Sequence, residues 1–212
     1  MMSDTIVAPA TPPGYGGISI VRISGNLSTA LTKQICKREL SFSNRRPALS
    51  SVYNSAGKII DNAVFTFFKK PHSYTGEDVL EISCHGNPIV VDQIVSTVCS
   101  FGARLADPGE FTKRAFLNGK MDLVQAESVS KLIESRSIEA ANINSKILSG
   151  SLSKKLNTIK ESIVGVLAEL EFEFDISENE SLIPNLITKS HKVINNNILA
   201  CKNLIDSYAS GL

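Results

Sequence analysis

The sequence predicts an α+β unit, a mixed sheet with helices over residues 1–120, followed by an all-α unit, a partial helical bundle over residues 121–212. Three observations predict this. Ahead of residue 121, short β-patterned runs alternate with helical stripes and turn residues, the pattern of a sheet covered by helices. From Asp122 to Phe174 no proline occurs, and apolar residues recur three and four positions apart. The charge balance also changes at the middle: residues 1–120 carry 13 Lys and Arg against 9 Asp and Glu, net +4, and the remainder carries 9 against 12, net −3.

Thr5–Ala8 reads as a strand, and Pro9, Pro12, Pro13, Gly14, Gly16 and Gly17 then form a loop that cannot be helical. Ile18–Ser24 is a second strand, and Leu27–Leu40 a helix with Leu27, Ala30, Leu31 and Ile35 on one stripe. Ser51–Asn54 and Ile59–Phe68 flank Ser55-Ala56-Gly57-Lys58, a hairpin signal. Val79–Cys84 is a further strand. Pro88 suits the first turn of a helix whose apolar stripe is Ile89, Val90, Ile94, Val95 and Val98. Ala103–Ala106 is a short strand, and Glu110–Leu117 a short helix after Asp107-Pro108-Gly109.

The second unit runs through Leu123, Ala126, Val129 and Ile133, and on through Ile147 to Leu170, with one break expected at Ser149-Gly150-Ser151. A last helix is expected from Pro184 to Tyr208. The acids Glu169, Glu171, Glu173, Asp175, Glu178 and Glu180 read as a solvated helix end.

Composition excludes several classes. A net charge of +1 is not the basic excess of an autonomous nucleic-acid binder. The four cysteines are scattered without a CxxC pair, so they read as free thiols in a reducing cytosol; Cys84-His85 has no partner at ligand spacing, and no metal is expected. No apolar run approaches the roughly 18 residues that a membrane span needs, so neither a membrane partner nor a membrane location is expected, and the chain reads as cytoplasmic.

Candidate site residues come from charges in strands. Arg22 shares a face with Ile18 and Ile20, opposite Val21 and Ile23. A guanidinium there needs a buried carboxylate or an arriving anionic or polar ligand. Glu81 shares a face with Val79 and Ser83, opposite Leu80 and Ile82. Its carboxylate could accept paired N–H bonds from a pterin-like amino-pyrimidine ring, could pair with Arg22, or could face water at an edge. Gly119 fits a left-handed C-terminal cap and Lys120 complements that helix's negative end. Arg104, Lys113 and Arg114 read as solvated, and Phe111 and Phe116 as core.

Three motif segments occur in order. The first is Asp4–Ala8 followed by Thr11-Pro12-Pro13-Gly14, Gly16-Gly17-Ile18 and Val21–Gly25. The second is Ser73-Tyr74-Thr75-Gly76-Glu77-Asp78-Val79-Leu80-Glu81, with Cys84-His85-Gly86-Asn87-Pro88. The third is Pro108-Gly109-Glu110-Phe111-Thr112, then Arg114–Lys120, Asp122-Leu123 and Gln125-Ala126-Glu127. Together they resemble the amino-terminal region of the MnmE/TrmE family of tRNA-modification GTPases, strongly over residues 4–130 and less so through the helical stretch.

The resemblance implies a domain similar to the folate-binding domain of aminomethyltransferases, one that binds a tetrahydrofolate derivative such as 5-formyltetrahydrofolate and forms a homodimer. It places the folate contacts on Arg22, Glu81 and Lys120. Tyr15 stands where many relatives carry a basic residue, which puts that contact in doubt. The implied partners are a flavin-dependent MnmG/GidA-type subunit and tRNA, with an aminomethyl-type group built at C5 of wobble uridine 34. GTP, magnesium and potassium belong to a G domain inserted, in the family, near the point where this chain ends at Ser210-Gly211-Leu212. Gly150 followed by Lys154-Lys155 does not make the GxxxxGK[ST] loop such a domain needs. The chain is therefore expected to be truncated before the G domain, to hydrolyse no GTP and to hold no catalytic residue. A purely structural dimerisation module and a stand-alone aminomethyltransferase-like protein are the alternatives.

Overall fold

The computed structural model describes residues 4–37, 46–176 and 185–209. The chain divides into two compact units, Met1–Met121 and Asp122–Leu212.

The first unit is built on a six-stranded mixed sheet. In chain order it comprises β1 (Ile6–Pro9), β2 (Gly16–Ser24), α1 (Ser28–Cys36), β3 (Ala48–Tyr53), β4 (Ile59–Phe68), β5 (Val79–Gly86), α2 (Pro88–Ser100), β6 (Arg104–Leu105) and α3 (Glu110–Leu117). The strand order is β3-β4-β5-β2-β1-β6, and only the β1–β6 pair is parallel. One face of the sheet carries Val7, Val21, Ile23, Val52, Ala63, Phe65, Leu80 and Ile82, all buried, and α1 and α2 cover it with Leu31, Ile35, Ile94 and Val98. Each of the Val, Leu, Ile and Phe side chains among them contributes about 1.5–3 kcal/mol of burial free energy. The period-2 alternation then turns Ile20, Arg22 and Glu81 to the other, less buried face.

Local chemistry sets the element ends. The Asn87 carboxamide accepts from Ile89 N at 2.9 Å to cap α2, with Pro88 in the first turn. The core stripe of α2 keeps Val90, Ile94, Val95 and Val98 of the stripe read from sequence and adds Val91, but not Ile89, which is 63% exposed because the first turn starts on the side away from the sheet. Helix α3 closes with two backbone bonds, Gly119 N to Phe116 O at 3.0 Å and Lys120 N to Ala115 O at 2.9 Å, around Gly119 at φ +68°. This is the left-handed cap that the sequence suggested. Helix α1 ends at Cys36, with Lys37 left-handed at φ 54°, and the expected extension to Leu40 lies outside the described residues.

The second unit is helical: α4 (Leu123–Ile133), α5 (Ile138–Leu148), α6 (Ser151–Ile176) and α7 (Leu186–Ala209). Asp122 and Gln125 form a reciprocal capping box at the start of α4, with bonds of 2.9 and 3.0 Å. The break before α6 falls where Gly150 was expected to put it, at φ +86°. A second break at residues 134–137 was not expected. There the Ser137 hydroxyl accepts from Ala140 N at 3.1 Å and starts α5 afresh. Helices α6 and α7 run antiparallel, since Ser162 meets Asn197 at 2.7 Å and Glu169 meets Lys189 at 2.7 Å.

Glu173 corrects the reading of the acidic run as solvated: it is buried, whereas Glu171 and Asp175 are exposed. Glu178, Glu180 and Pro184 lie outside the described residues, as do Ser210, Gly211 and Leu212. Among the described residues no helix is long and apolar enough to cross a membrane.

Candidate functional site

Arg22 and Glu81 stand directly opposite each other on β2 and β5, with Ala8 of β1 and Thr66 of β4 completing the row across four strands. Arg22 Nε donates to Glu81 Oε1 at 2.8 Å, and Nη2 lies 2.7 Å from the same oxygen. Both side chains are about a quarter exposed, at 27% and 21%. Their small neighbours, Ala8 and Thr66, leave the pair reachable from the less buried face.

The bonding is lopsided. Among the described residues, Arg22 Nη1 and Glu81 Oε2 make no hydrogen bond. The pair therefore keeps one N–H donor group and one carboxylate oxygen open. Such a pair suits a polar ring that offers both an acceptor and an N–H, and a charge-assisted bond to it is roughly twice as strong as a neutral one.

Two aromatic rings wall the guanidinium. Its carbon sits 5.3 Å from the Tyr74 centroid and 5.8 Å from the Phe111 centroid, within cation–π range. Tyr74 lies on the loop between β4 and β5, Phe111 on α3, and the Tyr74 and Thr112 hydroxyls share a 2.9 Å hydrogen bond. Phe111 is thus half-buried against Arg22 rather than in the core, and Phe116 is 38% exposed; the short helix turns that side to solvent.

Lys120 is not joined to the Arg22–Glu81 pair by any contact. Its Nζ donates to Pro71 O at 2.9 Å, and its stem passes Gly76, so it borders the same loop that carries Tyr74. Tyr15 is 85% exposed. The structure thus brings two of the three predicted residues together and sets the third on the neighbouring loop.

A second charged cluster corrects the reading of Arg114 as solvated, whereas Arg104 is exposed as read, though ion-paired. Arg114 is 1% exposed. It donates to Asp4 O and Asp4 Oδ1 at 2.9 Å, to Glu110 Oε1 at 3.0 Å and to Glu77 Oε2 at 3.2 Å. Arg104 bonds Asp4 and Glu110 at 2.7 Å each. The Arg104 bonds, against the opposing effect of burial, and the Asp107 N–H hold the Glu110 carboxyl down from 4.5 to about 2. Lys113, in contrast, is exposed as read. The i,i+4 spacing of Glu110 and Arg114 was the signal that could have found this cluster; for Tyr74 and Thr112, on separate elements, no local signal exists.

His85 is held by Asp61, with Nδ1 to Oδ1 at 2.7 Å and backbone N to Oδ2 at 2.8 Å, and Cys84 turns its Sγ to Ser19 O at 3.4 Å. Burial pushes the Cys84 thiol up from its ordinary value, the opposite of what a nucleophile or ligand thiolate needs. Among the described residues no group of three His, Cys, Asp or Glu could hold a metal ion. Two grooves open elsewhere, one along α2 beside Asn54 and Asp92, one apolar and lined by Ile159, Ile163, Ile194, Ile198 and Ile205 of α6 and α7. Neither holds a charged pair like that of β2 and β5.

Comparison with known proteins follows the two units. Residues 5–120 match the family model described as the GTP-binding protein TrmE N-terminus, and residues 123–211 match the MnmE helical domain. The tRNA modification GTPase MnmE of Fervidobacterium nodosum is 44% identical over 180 residues, 83% of this chain and 39% of the relative. Those of Pseudothermotoga lettingae and Aliarcobacter butzleri are 43% identical over 188 residues and 45% over 178, covering 89% and 84% of this chain and 42% and 40% of the relatives. The chain thus spans about two fifths of the length of the curated relatives it matches.

Proposed function

The chain belongs to the MnmE family of tRNA modification GTPases, and from that premise we propose that its sheet unit binds a reduced folate at Arg22 and Glu81 and joins two copies into a homodimer. The observation that carries the ligand reading is that this half-exposed pair leaves one donor and one acceptor without a partner among the described residues, Arg22 Nη1 and Glu81 Oε2. A pterin ring offers an exocyclic amine and a ring N–H side by side with a carbonyl, so Glu81 would accept and Arg22 would donate. Lys120, exposed at the edge of the loop, would meet the anionic tail.

The folate, when bound, supplies a one-carbon unit. In the longer protein that unit would go toward the aminomethyl-type group at C5 of wobble uridine 34 of tRNA, with a flavin-dependent partner subunit completing the reaction and a GTP-hydrolysing domain, with its magnesium and potassium, driving conformational change. The residues described here bind and orient.

Calorimetric titration with 5-formyltetrahydrofolate tests the ligand, and saturable micromolar binding is expected. Absence of heat at about 100 μM protein, where a Kd of 10 μM or tighter would be plain, removes the reading. Sedimentation equilibrium reads the dimer, and a monomer at tens of micromolar would refute it.

A further inference from the structure

The loop between β4 and β5 has no ladder of its own, yet it is tied on every side. Thr75 shares a 2.7 Å hydrogen bond with Ser24, whose hydroxyl also donates to Glu77 at 2.7 Å. The Ser73 hydroxyl donates to Glu77 O. From α3 and its cap, Arg114 reaches Glu77, Asn118 Nδ2 donates to Thr75 O at 2.7 Å, and Thr112 meets the Tyr74 hydroxyl at 2.9 Å. Most of these bonds fix the loop. The Tyr74–Thr112 bond fixes a ring.

That ring bears on Arg22. Both engaged nitrogens of Arg22 converge on one oxygen of Glu81, so the guanidinium is free to pivot about that point. The rings of Tyr74 and Phe111, 5.3 and 5.8 Å from its carbon, restrict the pivot. They thereby set where Nη1 points. We propose that Tyr74 is a positioning residue: anchored through its hydroxyl to Thr112 of α3, it aims the open donor of Arg22 at the ligand. The inference rests on the proposed ligand site, and its test separates the two.

The sheet needs neither hydroxyl, since β2 and β5 are held by their own ladder. Thr112→Val and Tyr74→Phe should therefore leave the thermal midpoint unmoved. Each should weaken 5-formyltetrahydrofolate binding about three- to tenfold, the range of one hydrogen bond. The double variant should bind no worse than either single, because both remove the same link. Thr112→Ser should restore affinity. In the ligand-free protein, the Nε–H signal of Arg22 in nitrogen-15 spectra, assigned with Arg22→Lys, should exchange faster with solvent in Thr112→Val and recover in Thr112→Ser.

Wild-type affinity in both single variants, or losses that add in the double, would overturn the positioning role. If the wild-type protein itself binds no folate, the ligand reading falls and the Arg22 signal decides alone. Faster exchange reversed by Thr112→Ser then upholds the anchor, and unchanged exchange removes it.

Discussion

Two arginine–carboxylate clusters occupy the sheet unit, and they differ in how completely the protein uses them. Arg114, buried at 1% exposure, spends all three guanidinium nitrogens on Asp4, Glu77 and Glu110. Arg22 is about a quarter exposed, spends two nitrogens on one oxygen of Glu81, and leaves a donor and an acceptor open. The chemistry is the same and the satisfaction is not. A saturated cluster has nothing to offer a ligand, whereas an open one on a half-exposed sheet face does. The saturated cluster in turn holds the loop and helix whose rings border the open one.

The largest expected effect is on the saturated cluster. Arg114→Ala leaves Glu77 without its cation and Asp4 and Glu110 with Arg104 alone, and should cost about 3–5 kcal/mol of folding free energy, measured by urea denaturation. Arg22→Ala should cost about 1 kcal/mol or less. Equal losses would erase the distinction. Acid is the second probe. The folded Glu110 carboxyl is held at about 2, below its ordinary 4.5, so the cluster's contribution is fully present above pH 4.5 and is lost as pH falls through about 2. The shift corresponds to something on the order of 3 kcal/mol. The urea midpoint should fall across that window, and Glu110→Gln should flatten the profile.

The open cluster was more legible in the sequence than the saturated one, for a physical reason. Strand period fixes the face of each residue, so Arg22 and Glu81 could be placed singly. Their pairing depends on the register of strands 59 residues apart, which left a core ion pair and a ligand site both open. Burial of Arg114 depends also on Asp4, 110 residues away, so the i,i+4 spacing to Glu110 could announce an ion pair but not its burial. Phe111 and Phe116 misled because hydrophobicity indicates that a side chain will seek cover without saying what covers it. The sheet, its hairpin and the glycine break at Gly150 were readable because turn chemistry is local. The break at residues 134–137 was not, since Ser137 caps a helix without glycine or proline to mark it.

Next in size comes the ligand test of the open cluster. Glu81→Ala removes the acceptor and should lower affinity for 5-formyltetrahydrofolate about tenfold to a hundredfold, the loss of a charge-assisted contact of about 1.5–3 kcal/mol. The measurement is calorimetry at constant salt, alongside thermal unfolding, because Arg22 loses its partner in the same variant. Near wild-type affinity would leave Glu81 as an ion-pair partner alone and move the site elsewhere.

The smallest effect belongs to Lys120, which sits in neither cluster. Its ammonium is exposed, with one bond to Pro71 O at 2.9 Å, and its stem lies along Gly76. A charge in that setting acts on an anionic tail through solvent, and salt screens it: the Debye length falls from about 10 Å at 0.1 M to about 3 Å at 1 M. Lys120→Met keeps an unbranched stem against the loop and removes the charge, so it isolates the electrostatic part. Affinity should fall about threefold at 0.05 M salt, under 1 kcal/mol, and the loss should vanish near 1 M. A loss that persists at high salt would mean a dehydrated contact, and would place Lys120 with Arg22 and Glu81 inside the open cluster. No loss at either salt, with stability lowered by a few tenths of a kcal/mol, would leave Lys120 as the charge that complements the end of α3 and nothing more.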